Sequence, residues 1–258
     1  MIPQIIHYTW FSGDPFPDNI QNCINSWKIH LPNYEFKLWD METIRNINVP
    51  FLKEAIQAKK WAYAADFVRS YAVFHYGGIY LDTDVMLYQS LDKFLNNRAF
   101  IGKESSIHFV GRISSQYLSS HCFGAEKGHP FIKACLGYYL DRHFEISSNE
   151  NLPSSLRYNF VLMPYIQAEI AKEYGYQANP YSQDVQSCKD GLMVYPSAVF
   201  DPKTQIADSV CRHLALGSWR DEKSDELNYS LKYKMEWRFI ALLQKIVSPL
   251  HYLIIKVW

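Results

Sequence analysis

The stretch WAYAADFVRSYAVFHYGGIYLDTDVML, residues 61–87, constrains this chain more than any other. Ala62, Ala65, Arg69 and Val73 recur at spacings of three and four, alanine is abundant and proline is absent, so the first part reads as a helix. Gly77 and Gly78 stop it, because glycine takes positive φ without steric cost. Ile79, Tyr80 and Leu81 then read as a short buried strand of β-branched, aromatic and aliphatic residues. The strand runs out at Asp82, Thr83 and Asp84. In open α/β sheets, ligands bind outside the carboxyl ends of strands, which makes these aspartates the place to look for chemistry.

Two carboxylates at i and i+2 repel unless something neutralises them. A hard divalent cation does so, and carboxylate oxygens suit Mg²⁺ and Mn²⁺. A metal there could also hold a diphosphate; the alternative is an Asp-rich surface turn. One helical turn separates Asp66 from Arg69, so both lie on one face. They are either site residues or an ordinary intrahelical ion pair worth about 0.2–0.5 kcal/mol.

The flanking chain fits the same class. Its 258 residues suffice for one α/β domain or two small ones with a substantial core. Formal net charge is +0, so no global field draws nucleic acid. Five scattered Cys with no CxxC pair argue against a zinc site or a disulfide framework and for a reducing compartment. The first strand is predicted over residues 4–10, and no secretory leader is expected. Trp10 closes that strand beside a glycine loop, where an aromatic either stacks on a ligand base or fills the core. A helix starts near Pro17 with Asp18 or Asn19 as N-cap, and residues 34–39 alternate as a half-buried strand. Residues 40–60 read as linking helices, 99–102 as a strand, 104–120 as a loop on the acceptor side, 121–125 as a strand and 128–139 as a helix. His129, beside that helix start, reads as structural.

AADFVRSYAVFHYGGIYLDTDV resembles the core signature of the DxD sugar transferases of glycosyltransferase family 32. It is also similar to the catalytic domains of the large clostridial glucosylating toxins. The opening IPQIIHYTWFSG and the following SWKIHLPNYEFKLWD resemble the start of the same domain, and FGAEKGHPFI and HLALGSW resemble its later landmarks, in the same order. The resemblance implies a GT-A-like α/β fold: a mainly parallel central sheet flanked by helices, over residues 1–228. It implies that Asp66 and Arg69 contact the donor sugar and its phosphates, that Tyr80 touches the donor, and that Trp10 packs on the base. Asp84 is expected on the cation and Asp82 on the ribose or sugar, reaching the metal through water. Mn²⁺, or Mg²⁺, is the expected ion.

Two places depart from the family pattern. VLMPY at 161–165 stands where relatives often carry a Thr-Gly-Pro turn, which touches donor or acceptor selectivity rather than reaction class. Near the end, His213 is kept but Leu214 replaces a second histidine. His213 is a candidate metal ligand, since imidazole suits a borderline ion, with a structural histidine as the alternative. Ser218 is expected at the metal or diphosphate, and Trp219 over the departing nucleotide as part of a closing loop.

Residues 229–258 form a separate basic, amphipathic segment whose charges and Pro249 break any spanning run. It suits an anionic membrane surface, or it packs as a C-terminal helix on the domain. The resemblance thus implies a retaining glycosyltransferase, expected to be cytoplasmic with peripheral membrane contact through this tail. It would take a nucleotide-diphosphate sugar, a UDP-sugar foremost, and serve a glycan or lipid-linked acceptor in bacterial surface polysaccharide synthesis such as capsule. Two rivals stand beside this: a haloacid-dehalogenase-like phosphatase, whose Asp-x-Asp would be nucleophilic, and a degenerate sugar-nucleotide-binding module.

Overall fold

The computed structural model describes residues 1–105, 108–110 and 113–216. The chain opens β1 (Ile5–Thr9), α1 (Asp18–His30) and β2 (Glu35–Trp39). Next come α2 (Met41–Ile44), α3 (Pro50–Gln57), α4 (Trp61–Tyr76), β3 (Gly78–Leu81) and β4 (Val85–Leu87). A 3₁₀ turn at Asp92–Phe94 leads to β5 (Ala99–Lys103), β6 (His108–Val110), β7 (Ile113–Ser115) and β8 (Leu118–Ala125). The last described part holds α5 (Pro130–Leu140), α6 (Ser154–Arg157), α7 (Met163–Glu173), β9 (Gln186–Ser187), β10 (Leu192–Tyr195), α8 (Ser197–Phe200) and β11 (Cys211–His213).

Seven strands form one sheet in the order β2-β1-β3-β8-β5-β10-β9. β1 pairs in parallel with both β2 and β3, and β10 with β5. β8 is antiparallel to β3 and β5, and β9 to β10. β2, β1, β3, β5 and β10 therefore point one way, so the sheet is mainly parallel, as expected, with β8 inserted in reverse at its centre.

Alternation along the strands sends side chains to two cores. Tyr80, Ala99, Ile101 and Phe123 pack with Phe67 and Val68 of α4, Phe131 of α5 and Ile166 of α7. Their neighbours Ile79, Leu81, Phe100 and Cys122 face the other way, onto Ile20, Ile24 and Trp27 of α1 and onto β4 and β11. Trp27 is fully buried and donates its indole N–H to the Val85 carbonyl at 2.7 Å, which ties α1 to the strand after the aspartates.

The Gly77–Gly78 stop is enforced from two directions. Gly77 has φ +68, and a Cβ there would lie 2.8 Å from the Lys127 nitrogen. Gly78 has φ +103, and its Cβ would lie 2.7 Å from the Ile5 carbonyl oxygen. The residue pair both reverses the helix and lets β3 close onto β1.

Two local expectations are corrected. The N-cap of α1 is Pro17 with no side-chain cap; Asp18 is the first helical residue, where its charge favours the helix dipole. Residues 104–120 are not all loop: β6 pairs with β7, and β8 already begins at Leu118. Its alternation was masked because β8 is buried on both faces. The basic segment 229–258 lies outside the described residues. Among the described residues no helix is long and apolar enough to cross a membrane.

Candidate active site

The site is built where β3 ends against α4. Arg69 is 4% exposed and is the hub. Its Nη2 lies 3.2 Å from Asp66 Oδ1 on its own helix and 3.1 Å from Asp82 Oδ1 beyond β3. Nη1 donates to the Ser120 carbonyl at 2.9 Å, and Nε to the Ala65 carbonyl at 3.3 Å. The pair on α4 is thus more than a local ion pair: it reaches the first aspartate of the Asp-x-Asp. Burial opposes the Arg69 charge, but the Asp82 carboxylate outweighs it and the guanidinium pKa rises. Burial pushes the Asp66 carboxyl up to about 7, with Arg69 pulling against it and the backbone N–H of Met163, at the start of α7, helping.

Tyr80 lies on β3 with its ring 4.7 Å from the Arg69 guanidinium carbon. Its hydroxyl donates to Asp82 Oδ1 at 2.9 Å, so the Thr9 hydroxyl, 3.1 Å away at the end of β1, is left to donate to Tyr80. Burial first, then the Asp82 charge, pushes the Tyr80 phenol well above its ordinary value and keeps it a donor. Asp82 is therefore held from two sides.

Asp84 turns the other way. Its Oδ1 lies 3.1 Å from His213 Nε2 on β11, and its Oδ2 accepts from the Leu216 N–H at 3.0 Å. The Asp84 backbone carbonyl accepts from the Leu214 N–H at 3.0 Å. Ala215, between those two donors, has φ +50, a left-handed backbone that costs an L-residue about 1–2 kcal/mol. Such strain persists where surrounding contacts over-determine it, and here both flanking amides hold Asp84. Burial raises and the His213 hydrogen bond lowers the Asp84 carboxyl; the net shift is downward. Burial disfavours the His213 cation, but Asp84 beside it raises its pKa overall. The register of β11 on β4, with His213 opposite Val85, carries this histidine to the aspartate.

Ligand atoms of Asp82, Asp84 and His213 all lie within 4.8 Å of one another. Two carboxylates and an imidazole suit a small divalent ion such as Mn²⁺. The donor set fits, with coordination positions left for a ligand's oxygens and for water.

Not every expected residue joins this cluster. Trp10 follows the end of β1, donates its indole N–H to the Asp14 carbonyl at 2.7 Å and packs on Phe16. Ser218 and Trp219 lie outside the described residues. His129 is 1% exposed, accepts from the Phe131 N–H and faces the Asp190 carbonyl at 3.1 Å, a structural cap as expected. His121 was missed. It stacks on His213 with ring centroids 4.7 Å apart, contacts the Phe200 carbonyl at 3.0 Å, and burial with the neighbouring His213 lowers it to about 4. Only the β3–β8 register, which brings the His121 carbonyl to the Asp82 N–H, places it there.

Residues 17–101 match the family model described as the glycosyltransferase sugar-binding region containing the DXD motif. Inositol phosphoceramide mannosyltransferase 3 of Schizosaccharomyces pombe is 34% identical over 139 residues, covering 51% of this chain and 35% of that protein. An uncharacterised glycosyltransferase of Acanthamoeba polyphaga mimivirus is 32% identical over 142 residues, 50% of this chain and 52% of that one. The matches thus span only about a third to a half of these relatives' lengths. A solved structure, PaToxG glycosyltransferase, overlaps at a TM-score of 0.45 with 16% identity over 67% of this chain and 69% of its own, a likeness that adds no weight. Residues 17–101, which contain Asp66, Arg69, Asp82 and Asp84, are thus similar to the glycosyltransferase sugar-binding region that contains the DXD motif.

Proposed function

We propose that the protein transfers a sugar, with retention at the anomeric carbon, from a nucleotide-diphosphate sugar to a hydroxyl of a glycan or lipid-linked acceptor. The observation that carries this reading is the convergence of Asp82, Asp84 and His213 beyond the carboxyl end of β3. Asp84 and His213 would hold a Mn²⁺ or Mg²⁺ ion, with Asp82 contributing directly or through water. A cation bound there supplies positive charge to the diphosphate as the glycosidic bond breaks.

The chain's own residues supply the rest. Arg69 fixes Asp82 and adds a permanent positive charge next to the diphosphate position. Tyr80 holds Asp82 from the other side, so the carboxylate presents one orientation to ribose or sugar hydroxyls. Asp66 is committed to Arg69 and to the start of α7, which argues against a covalent glycosyl intermediate on it and for departure and attack on the same face. Trp10 would stack on the base, with Ser218 and Trp219 completing the nucleotide side. The name of the fission yeast relative, an inositol phosphoceramide mannosyltransferase, favours a mannose-type donor and a lipid-linked acceptor. A UDP-sugar, a capsular or other surface polysaccharide, and a peripheral position on the inner membrane face through residues 229–258 complete the reading.

The test is donor hydrolysis. Purified protein is incubated with UDP-, GDP-, ADP- and TDP-sugars, with and without Mn²⁺, alongside Asp84→Ala. Metal-dependent release of one nucleoside diphosphate, absent from the variant, is expected. Phosphate freed from a phosphomonoester, with no donor cleaved, would favour the dehalogenase-like phosphatase instead. Donor binding without cleavage, even with membrane extract as acceptor, would favour the binding module.

A further inference from the structure

A second recess is linked to the metal cluster through the short helix α8, His121 and His213, and none of its lining residues belongs to that cluster. It is a cleft of about 380 Å³ beyond the carboxyl end of β5, walled by Ser105, Gln116, Gln183, Ser197, Thr204 and Ile206. That volume falls at the lower end of the roughly 300–1,000 Å³ of small-molecule sites, room for a small ligand rather than a long chain. The short helix α8 is the shared wall. Its Ser197 end lines the cleft, while the Phe200 carbonyl at its other end contacts His121, which stacks on His213. Asp201, next in the chain, accepts the Ser105 N–H at 2.7 Å and so fixes the cleft edge to the same turn.

The lining groups select a chemistry. Hydroxyls and carboxamides both donate and accept, and the exposed Lys203 ammonium at the rim adds donors, which matches a ligand dense in hydroxyl groups. Pro180, Pro202 and Ile206 supply apolar surface for C–H faces. Gln116 adds a second, independent sign. It is 3% exposed, spends its Nε2 on the Glu104 carbonyl at 2.6 Å, and leaves Oε1 with no hydrogen-bond partner among the described residues. A buried acceptor left unpaired is costly, and a ligand hydroxyl or a bound water offsets that cost. The opposite wall is firmly built: Lys103, fully buried at the end of β5, donates to the Ser182 carbonyl at 2.9 Å and anchors the segment that carries Gln183.

We propose that this cleft is the acceptor subsite and binds a neutral sugar or cyclitol unit through its hydroxyls, presenting one of them toward the metal cluster. The proposal rests on the transferase reading for the word acceptor, but its binding claim is tested without turnover. Saturation-transfer NMR on the full chain, with neither donor nor metal present, would use methyl α-mannoside, methyl α-glucoside and myo-inositol as probes. Saturation of at least one probe is expected, falling several-fold in Thr204→Trp, where an exposed residue becomes a bulky one inside the cleft. Gln116→Leu, which removes the unpaired oxygen, should weaken the same probe; should it fail to fold, Thr204→Trp carries the test. No saturation of any probe would overturn the proposal. So would a signal that survives Thr204→Trp and disappears in Asp84→Ala, since that would put the sugar at the metal cluster. A failed donor assay beside a Thr204→Trp-sensitive probe would remove the transferase reading and leave a sugar site.

Discussion

The Arg69 guanidinium lies 3.1 Å from the Asp82 carboxylate, so the central helix and the Asp-x-Asp turn are joined by one buried charge pair. Asp66 shares the same guanidinium at 3.2 Å. Removing the cation leaves two carboxylates facing each other in a poorly hydrated place. Arg69→Ala is expected to cost about 3–5 kcal/mol, because breaking a buried pair strands its partner. Arg69→Lys should recover part of the stability and little of the turnover, since an ammonium cannot reproduce the fork that reaches Asp66, Asp82 and the Ser120 carbonyl together. Urea denaturation and donor hydrolysis of both variants check this.

Asp84 and His213 should govern metal binding. Loss of a metal site's outer partners alone typically costs about 10–100-fold in affinity, so Asp84→Ala should weaken Mn²⁺ binding by at least about that much. His213→Ala should weaken it too, with the fold intact, because β11 is held to β4 by backbone pairing. Titration of Mn²⁺ followed by electron paramagnetic resonance reads both. Unchanged affinity in either variant would remove that residue from the ligand set.

Acid should destabilise the fold through His7. The ring is fully buried; Nδ1 accepts the Trp39 indole N–H at 3.1 Å and Nε2 faces the Gly77 carbonyl at 2.8 Å, an arrangement only the neutral ring satisfies on both sides. Burial lowers its pKa from 6.5 to about 4. The unfolded chain then binds the proton more readily, so stability is complete above about pH 6.5 and is lost as pH falls toward about 4. The loss from this group amounts to about 3 kcal/mol. Unfolding free energies across that range, compared with a His7→Leu variant that is weaker but lacks this part of the slope, provide the measurement.

Glycine at 78 is required by contact as well as conformation. Gly128 has φ +76 and open space around its missing Cβ, so Gly128→Ala should cost about 1–2 kcal/mol of backbone strain. Gly78→Ala adds a clash with the Ile5 carbonyl and should cost clearly more. Equal midpoints for the two variants in denaturant would contradict the packing of β3 on β1.

Thiol accessibility separates one cysteine from four. Cys23, Cys122, Cys135 and Cys211 are buried, and Cys188 is half-buried. An aromatic disulfide reagent should therefore titrate one thiol quickly in native protein and all five in denaturant.

Much of this site is readable along the chain because its parts are close in sequence. Helical spacing puts Asp66 and Arg69 on one face, the glycine pair ends the helix, and a strand of alternating facing ends at Asp82 and Asp84. These follow from helix and strand periods and from the φ freedom of glycine, which need no knowledge of the rest of the molecule. The residues 104–120, read as loop, show the limit: a strand buried on both faces has no polar alternation to betray it.

What only the tertiary structure decided is how the two aspartates divide their partners. Asp82 is held by Arg69 and Tyr80, whereas Asp84 is held by His213 and the strained turn through Ala215. His121 and the Ser120 carbonyl arrive on a reversed strand, the Met163 N–H on α7, and His213 on a strand 129 positions after Asp84, as their residue numbers give. No local preference encodes such meetings. They are set by strand register and by burial of two cores against one sheet, which long-range packing fixes and sequence spacing does not.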